Sequence, residues 1–235
     1  MDIQERIKQL DWASLTENLN GNGYAATNKI LNNEDCAQLI SQYCNEALYR
    51  KTVNMARHNY GLGEYKYFNY PLPPVVQALR ESIYPNLAPI ANNWMRVLNI
   101  DMQYPAHFEE FMANCHAQGQ NRPTPLILKY GKGGFNTLHQ DLYGDIYFPL
   151  QAVVFLTEPG IDYDGGEFVL IEQRPRAQSK ALVLKPQKGD MLIFTTNFRP
   201  VQGSKGYYRV NMKHGVSELT AGNRYTLGII FHDAA

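Results

Sequence analysis

Leu126-Ile127-Leu128-Lys129-Tyr130-Gly131-Lys132-Gly133-Gly134-Phe135-Asn136-Thr137-Leu138-His139-Gln140-Asp141 marks the place where the periodicity of this chain changes. Before it, apolar residues recur at helical spacing; from Pro125 to the end, short β-rich runs alternate with turn residues. The runs are Leu126 to Tyr130, Gln151 to Thr157, Glu167 to Ile171, Ala181 to Leu184, Met191 to Thr195, Tyr207 to Met212 and Tyr225 to Phe231. Many short strands separated by turns predict a jelly roll made of two sheets.

Upstream, Ile3, Ile7 and Leu10 form one apolar stripe, and Trp12, Leu15 and Leu19 form another that ends near Gly21-Asn22-Gly23. Asn33 is placed to cap a helix whose core face carries Cys36, Leu39, Ile40, Tyr43, Cys44 and Ala47. Helical spacing returns with Val75, Val76, Leu79 and Ile83, then Leu87, Ile90, Trp94 and Leu98, and Pro105 can start a helix bearing Phe108, Phe111, Met112 and Cys115. The expected class is α+β: a mainly helical region over 1–120 packed on a β core over 121–235, as one compact unit. Between the helices, the aromatic stretch Gly61 to Pro74 reads as a loop. It is either a lid or substrate wall, or a loop stapled to the core by its rings.

Lysine plus arginine number 22 and aspartate plus glutamate number 22, so no global basic field draws nucleic acid or an anionic membrane to the chain. Cys36, Cys44 and Cys115 are an odd set without CxxC spacing, which argues against a secreted disulfide framework. The amino terminus lacks the layout of a signal peptide, and no apolar stretch approaches the roughly twenty residues that cross a bilayer. A cytoplasmic protein without membrane association is the expectation.

On an extended strand, residues two apart project from one face, so His139 and Asp141 can meet a single metal ion. A His-x-Asp pair alone recurs by chance. A second histidine completes a two-His, one-carboxylate triad, which leaves three positions open on iron, and His214 supplies it, ahead of the turn-rich Gly215 to Asn223. In Arg224-Tyr225-Thr226-Leu227-Gly228-Ile229-Ile230-Phe231, alternation puts Arg224, Thr226, Gly228 and Ile230 on one face. An arginine aimed into a barrel must meet an anion, either a bound carboxylate or a structural one of the protein. Tyr130 shares a strand face with Leu126 and Leu128, so its phenol either enters the barrel or sits in the core with a backbone partner.

These residues resemble the Fe(II)- and 2-oxoglutarate-dependent dioxygenases, whose core is a double-stranded β-helix. Tyr130 with Leu138-His139-Gln140-Asp141 resembles the metal strand of AlkB-like nucleic-acid demethylases, and His214 through Gly222-Asn223-Arg224 resembles prolyl 4-hydroxylases. Asp164-Gly165-Gly166-Glu167-Phe168 and Pro186 to Phe194 resemble connecting turns and strands of the same superfamily. More closely, Gly63 to Phe68, Gln120 to Pro125 and Glu172 to Arg176 are similar to a largely uncharacterised prokaryotic oxygenase family described as acting on damaged DNA.

The resemblance implies an oxidoreductase. Fe(II) would sit on His139, Asp141 and His214, 2-oxoglutarate on Arg224 with Tyr130 and Thr226, and O2 would be the second cosubstrate. The arginine after the distal histidine that AlkB-like proteins use on nucleobases has no counterpart at matching spacing. Neutral overall charge disfavours a methylated base, and a small metabolite or amino acid is slightly favoured, with a methylated base or a protein residue as the alternatives. Candidate substrate residues are Asn136, Gln140, Tyr143, Arg174 and Arg176, each equally readable as a solvated or structural group. His58, His107, His116 and His232 read as structural or surface residues. A metal-binding jelly-roll sensor is the non-enzymatic alternative.

Overall fold

The computed structural model describes residues 2–235. Its helices are α1 (Ile3–Lys8), α2 (Trp12–Asn22), α3 (Asn33–Ser41), α4 (Pro74–Val97) and α5 (Phe108–Ala117). In the first half these are interleaved with four strands, β1 (Tyr24–Thr27), β2 (Tyr49–Asn54), β3 (Gly61–Leu62) and β4 (Glu64–Phe68). The second half supplies β5 (Leu126–Tyr130), β6 (Phe135–His139), β7 (Leu150–Phe155), β8 (Tyr163–Gly165), β9 (Phe168–Gln173) and β10 (Lys180–Leu184). It continues with β11 (Met191–Thr195), β12 (Phe198–Gly203), β13 (Gly206–Val216), β14 (Leu219–Gly222) and β15 (Arg224–Ile229).

Two antiparallel sheets form the core. The larger runs β1-β11-β7-β15-β5-β4-β2 and the smaller β10-β9-β13-β6-β3, with β12 beside β13. Val153, Phe155, Leu192 and Phe194 of the larger sheet meet Phe168, Leu170, Val210 and Met212 of the smaller one in a single apolar cluster. This is the sandwich of a double-stranded β-helix, closed where its two inner faces interdigitate. β7 is buried at every residue, because its outer face is covered as well. That cover is helical: Val76, Leu79, Ile83, Leu87, Ile90 and Trp94 of α4 are buried in one cluster with Ile127, Val154, Leu227 and Ile229 of the larger sheet. Fully burying such side chains is worth about 1.5–3 kcal/mol each. That sum outweighs the roughly 3 kcal/mol that each interior proline, Pro85 and Pro89, costs α4.

The aromatic stretch read as a loop is strand. β4 is hydrogen-bonded to β2 on one side and to β5 on the other, with Tyr65 opposite Leu128 and Tyr67 opposite Leu126. Glu64 and Lys66 disguise it, because a charge at every second position breaks the apolar signal of a buried strand. Lys66 is buried nonetheless, its ammonium donating to the Tyr43 carbonyl at 3.2 Å and pairing with Glu46 at 2.5 Å. Asn32, not Asn33, caps α3 in a capping box with Asp35. α3 stops at Ser41, so Cys44 and Ala47 fall on exposed turns, and the two buried cysteines are Cys36 and Cys115. α5 starts at Phe108 rather than at Pro105. Among the described residues no helix is long and apolar enough to cross a membrane.

The segment after β15 is locked to α4. Arg80 is fully buried and donates to the carbonyls of Ile230 and Phe231 and to Asp233 at 2.7 Å, while Tyr70 and His116 hold the other Asp233 oxygen. His232, also fully buried, accepts from the Phe148 amide on Nδ1. Burial, reinforced by the Arg80 charge, pushes its pKa down to about 3. An imidazole that folds neutral costs nothing above its unfolded pKa of about 6.5, but below it the unfolded chain binds the extra proton. Stability is therefore expected to fall as pH drops from 6.5 toward 3, by up to about 1.4 kcal/mol per pH unit from this group. Urea melts at pH 6.5 and 4.5 should show wild type losing about 2 kcal/mol more than His232→Gln, which keeps an acceptor but not the titration. Equal losses would mean that His232 is protonated in the folded protein.

Candidate active site

His139 is the last residue of β6, and His214 lies opposite it on β13. The long β13 carries His214 inside a regular ladder, whereas the alternating apolar run of the sequence ends at Met212; a bulge between His214 and Val216 follows. Asp141 sits just past the end of β6 rather than on it. The turn that brings it back is fixed by Gln140, whose amide donates to the carbonyls of Asn197 and Met212 at 3.0 and 2.8 Å.

The three side chains converge. His139 Nε2 is 3.5 Å from Asp141 Oδ1, His214 Nε2 is 3.2 Å from Oδ2, and the three candidate ligand atoms lie within 4.8 Å of one another. His139 Nδ1 is 2.8 Å from the Thr137 carbonyl, which can only accept, so Nδ1 donates and Nε2 is the ring nitrogen turned toward Asp141. Burial raises the Asp141 pKa, but His139, His214 and the Tyr143 hydroxyl together outweigh it, and the carboxyl is held well below its usual range. Burial and the neighbouring His139 push the His214 pKa down. A carboxylate beside a neutral imidazole is the protonation state that a metal ion requires.

Tyr143 lines the cavity at this cluster and also contacts the cluster itself. Its hydroxyl donates to Asp141 Oδ1 at 2.7 Å, and burial together with the Asp141 charge keeps the phenol protonated. It orients the carboxylate from behind, as outer partners of metal ligands do.

Arg224 opens β15 opposite Tyr130, and only 1% of it is exposed. Its guanidinium carbon lies 5.6, 5.3 and 5.9 Å from the ring centres of Tyr130, Phe155 and Tyr163. Nε and Nη2 have no hydrogen-bond partner, and no carboxylate pairs with the side chain among the described residues. The structural carboxylate that the sequence left open is thus absent. Asn136 donates to the Tyr130 hydroxyl oxygen at 3.2 Å, so the phenolic proton is left free to donate elsewhere. Thr226 faces the same side as Arg224, and Gly228 beyond it keeps the volume open: a Cβ there would meet Leu126 at 2.7 Å.

One cavity of about 440 Å3 joins His139, Asp141 and His214 to Tyr130, Arg224 and Thr226. Its remaining walls are mostly apolar, with Leu126, Val153, Phe194 and Ile230 among them. Gln151, 3% exposed, lines it as well, and its Nε2 has no partner. Nothing in the β7 sequence except one amide in an apolar run signals that position, and Tyr163 is equally silent. Arg174 pairs with Glu172 at 2.7 Å, Arg176 occupies a turn at φ 61°, and neither lines the cavity. Their charge suits an anion, but the end of β9 carries them away from the site.

The residues fit iron and 2-oxoglutarate on two counts. The donor set is two imidazoles and one carboxylate on a single side of a cavity. The orphaned guanidinium requires an anion, and a carboxylate matches its fork.

A family model, Oxygenase-NA, described as an oxygenase catalysing oxidative methylation of damaged DNA, matches residues 63–234. Uncharacterised proteins from two strains of Mycobacterium tuberculosis are 48% identical over 168 residues, which is 72% of this chain and 72% of theirs. Among solved structures, the fold is similar to a prolyl-4-hydroxylase of Pseudomonas putida, with a TM-score of 0.58 and 14% identity over 95% of this chain and 100% of that one. A Trichoplax adhaerens prolyl hydroxylase, solved with a hypoxia inducible factor oxygen degradation domain peptide, reaches a TM-score of 0.61 at 13% identity, over 98% and 92% of the two chains. A 2OG-Fe(II) oxygenase family protein of Burkholderia pseudomallei reaches 0.56 at 15% identity, over 97% and 94%. These likenesses place the sandwich among the double-stranded β-helix folds. Because the matched stretch spans most of the chain and contains both the His-Asp-His cluster and Arg224, this protein belongs to the Oxygenase-NA family of oxygenases.

Proposed function

We propose that this oxygenase binds Fe(II) through His139, Asp141 and His214 and uses 2-oxoglutarate and O2 to hydroxylate or oxidatively demethylate a small metabolite or amino acid, releasing succinate and CO2. The observation that carries the reading is a buried arginine without a counter-ion in the same cavity as a two-His, one-carboxylate cluster. The bound metal and cosubstrate supply the activation of oxygen; the protein supplies positions, charge and dryness.

Arg224, with Nε and Nη2 unpartnered, would hold a carboxylate of 2-oxoglutarate, and the hydroxyls of Tyr130 and Thr226 in the same cavity would add donors. Asn136 fixes the Tyr130 rotor by donating to its oxygen. Tyr143 and the Thr137 carbonyl hold Asp141 and His139 in register for the metal. The apolar walls exclude water from the reacting centre, which strengthens each of these polar contacts.

The direct test is succinate formation by the purified protein given Fe(II), 2-oxoglutarate and O2, alone and then with panels of amino acids and metabolites. Uncoupled turnover that is stimulated several-fold by one panel member is the expected result. Absence of 2-oxoglutarate binding to the anaerobic Fe(II)-loaded protein would sink the proposal. A second reading, demethylation of a nucleobase, is favoured by the description attached to the family, and methylated oligonucleotides form the second arm of the screen. Hydroxylation of a protein residue is tested with peptides in the same assay.

A further inference from the structure

A second concavity, of about 240 Å3, adjoins the active-site cavity and shares Tyr60, Tyr65 and Tyr143 with it. Arg50, Lys51, His58 and Arg122 line it beside Ala234 and Ala235 at the end of the described chain; among the described residues no aspartate or glutamate side chain does, and no ion pair joins these cations to the terminal carboxylate. Overall, basic and acidic residues balance at 22 each, so this local excess does not come from composition. Several buried cations elsewhere in the protein are paired, Arg80 with Asp233, Lys66 with Glu46 and Arg199 with Glu172, whereas Arg224 faces the active-site cavity without a carboxylate. Arg50, Lys51 and Arg122 have no such partner among the described residues.

The groups are held, not merely present. Arg50 of β2 is half-buried, its Nε donates to the Pro123 carbonyl at 2.8 Å, and its guanidinium carbon lies 4.5 Å from the centre of the Tyr67 ring. Those contacts use one donor and leave four of the five guanidinium N–H groups without a protein acceptor. Burial lowers the Arg50 pKa and the Arg122 charge adds to it, while Tyr67, Asp233 and Tyr143 offset only part of the shift. Arg122 is fixed through its backbone, which exchanges two hydrogen bonds with Ala234. His58 stacks on Tyr60 at 5.3 Å, at the boundary between the two cavities.

We propose that Arg50, Lys51, His58 and Arg122 form a subsite for an anionic group, a phosphate or a carboxylate, carried by the substrate whose C–H bond is presented in the adjoining cavity. The proposal rests on the oxygenase reading above and deepens it by naming a charge that the substrate must carry. Two guanidinium forks and an ammonium around one concave floor match a tetrahedral or planar oxyanion, and each added charge-assisted hydrogen bond strengthens its grip. Neutral analogues of the true substrate would forfeit that grip and leave the cations unpaired.

The test is calorimetric titration of the full chain with inorganic pyrophosphate and, separately, with tricarballylate, 2-oxoglutarate being present at saturation to occupy Arg224. Saturable binding of at least one probe is expected, weakened at least tenfold in Arg50→Gln/Arg122→Gln and unchanged in Arg174→Gln, a cation outside the groove. The exposed Arg122→Gln alone should weaken binding in the same direction without any risk to folding, and unchanged thermal melting certifies each variant. Preference for pyrophosphate assigns a phosphoester substrate; preference for tricarballylate assigns a carboxylic acid. No saturable binding of either probe, or equal affinity in the double variant, overturns the subsite. Binding at Arg224 would persist in Arg50→Gln/Arg122→Gln whereas binding in the groove would not, so a failure of Fe(II) or 2-oxoglutarate binding in the proposed active site remains a separate result.

Discussion

Replacing Asp141 by alanine is expected to lower Fe(II) affinity by at least ~100-fold and to abolish 2-oxoglutarate turnover, while the protein still folds. Loss of an outer-sphere partner alone typically costs a metal site about 10- to 100-fold, and Asp141 is the only anionic member of the cluster. Without it, two imidazoles face a dication with no neutralising charge, in a site where Asp141 and His214 are each only 8% exposed. Folding should survive because Asp141 lies past the end of β6, outside the ladder, and Gln140 holds the turn through backbone carbonyls of Asn197 and Met212. Anaerobic Fe(II) titration beside a thermal melt separates the two effects. Undiminished iron affinity in a folded variant would remove Asp141 from the metal centre. Asp141→Asn sharpens the result, since it keeps the shape and one oxygen donor but not the charge, and it should fall between wild type and alanine.

Much of this site could be read in the sequence because strands make spacing into geometry. His139, Arg224 and Thr226 were assigned from a period of two, and β6 and β15 carry them; His214 was assigned as the second histidine ahead of a turn, and it lies on β13 opposite His139. Asp141 was assigned by the same rule and reaches the cluster by a turn instead, a coincidence of outcome rather than of cause. The second tier was not legible. Tyr143 was read as a rim residue, and its hydrogen bond to Asp141 stayed hidden because it depends on the path of a turn, which spacing does not encode. Arg174 was read as a ligand for an anion because charge is visible in a sequence and its Glu172 partner is not. The same blindness hid the Arg80–Asp233 pair and β4, whose strand character lies in pairing with β2 and β5 rather than in its own apolar pattern. Local periodicity reports which face a side chain occupies; it does not report what waits on the other side.

Arg224→Met is expected to move function and stability in opposite directions. On the functional side, truncating one partner of a buried, hydrogen-bonded charge pair costs about 2–5 kcal/mol, roughly 30- to several-thousand-fold in 2-oxoglutarate affinity. Iron binding should be untouched, because the guanidinium belongs to β15 and none of the three candidate ligands does. Arg224→Lys should recover little, since a point charge cannot reproduce the two-pronged match to a carboxylate. On the stability side, the ligand-free protein carries a guanidinium that is 1% exposed, packed among the rings of Tyr130, Phe155 and Tyr163, with Nε and Nη2 unpartnered, the Tyr163 hydroxyl beside it and no paired carboxylate among the described residues. Relieving an uncompensated buried charge with an apolar side chain of similar length is stabilising by about 1–4 kcal/mol where packing is kept. The ligand-free variant should therefore melt at a higher temperature than ligand-free wild type, and 2-oxoglutarate should raise the melting temperature of wild type only. A structural arginine would behave in the reverse way: Arg224→Met would melt lower, and 2-oxoglutarate would protect neither form. The sign of that one shift separates a residue kept for its ligand from one kept for the fold.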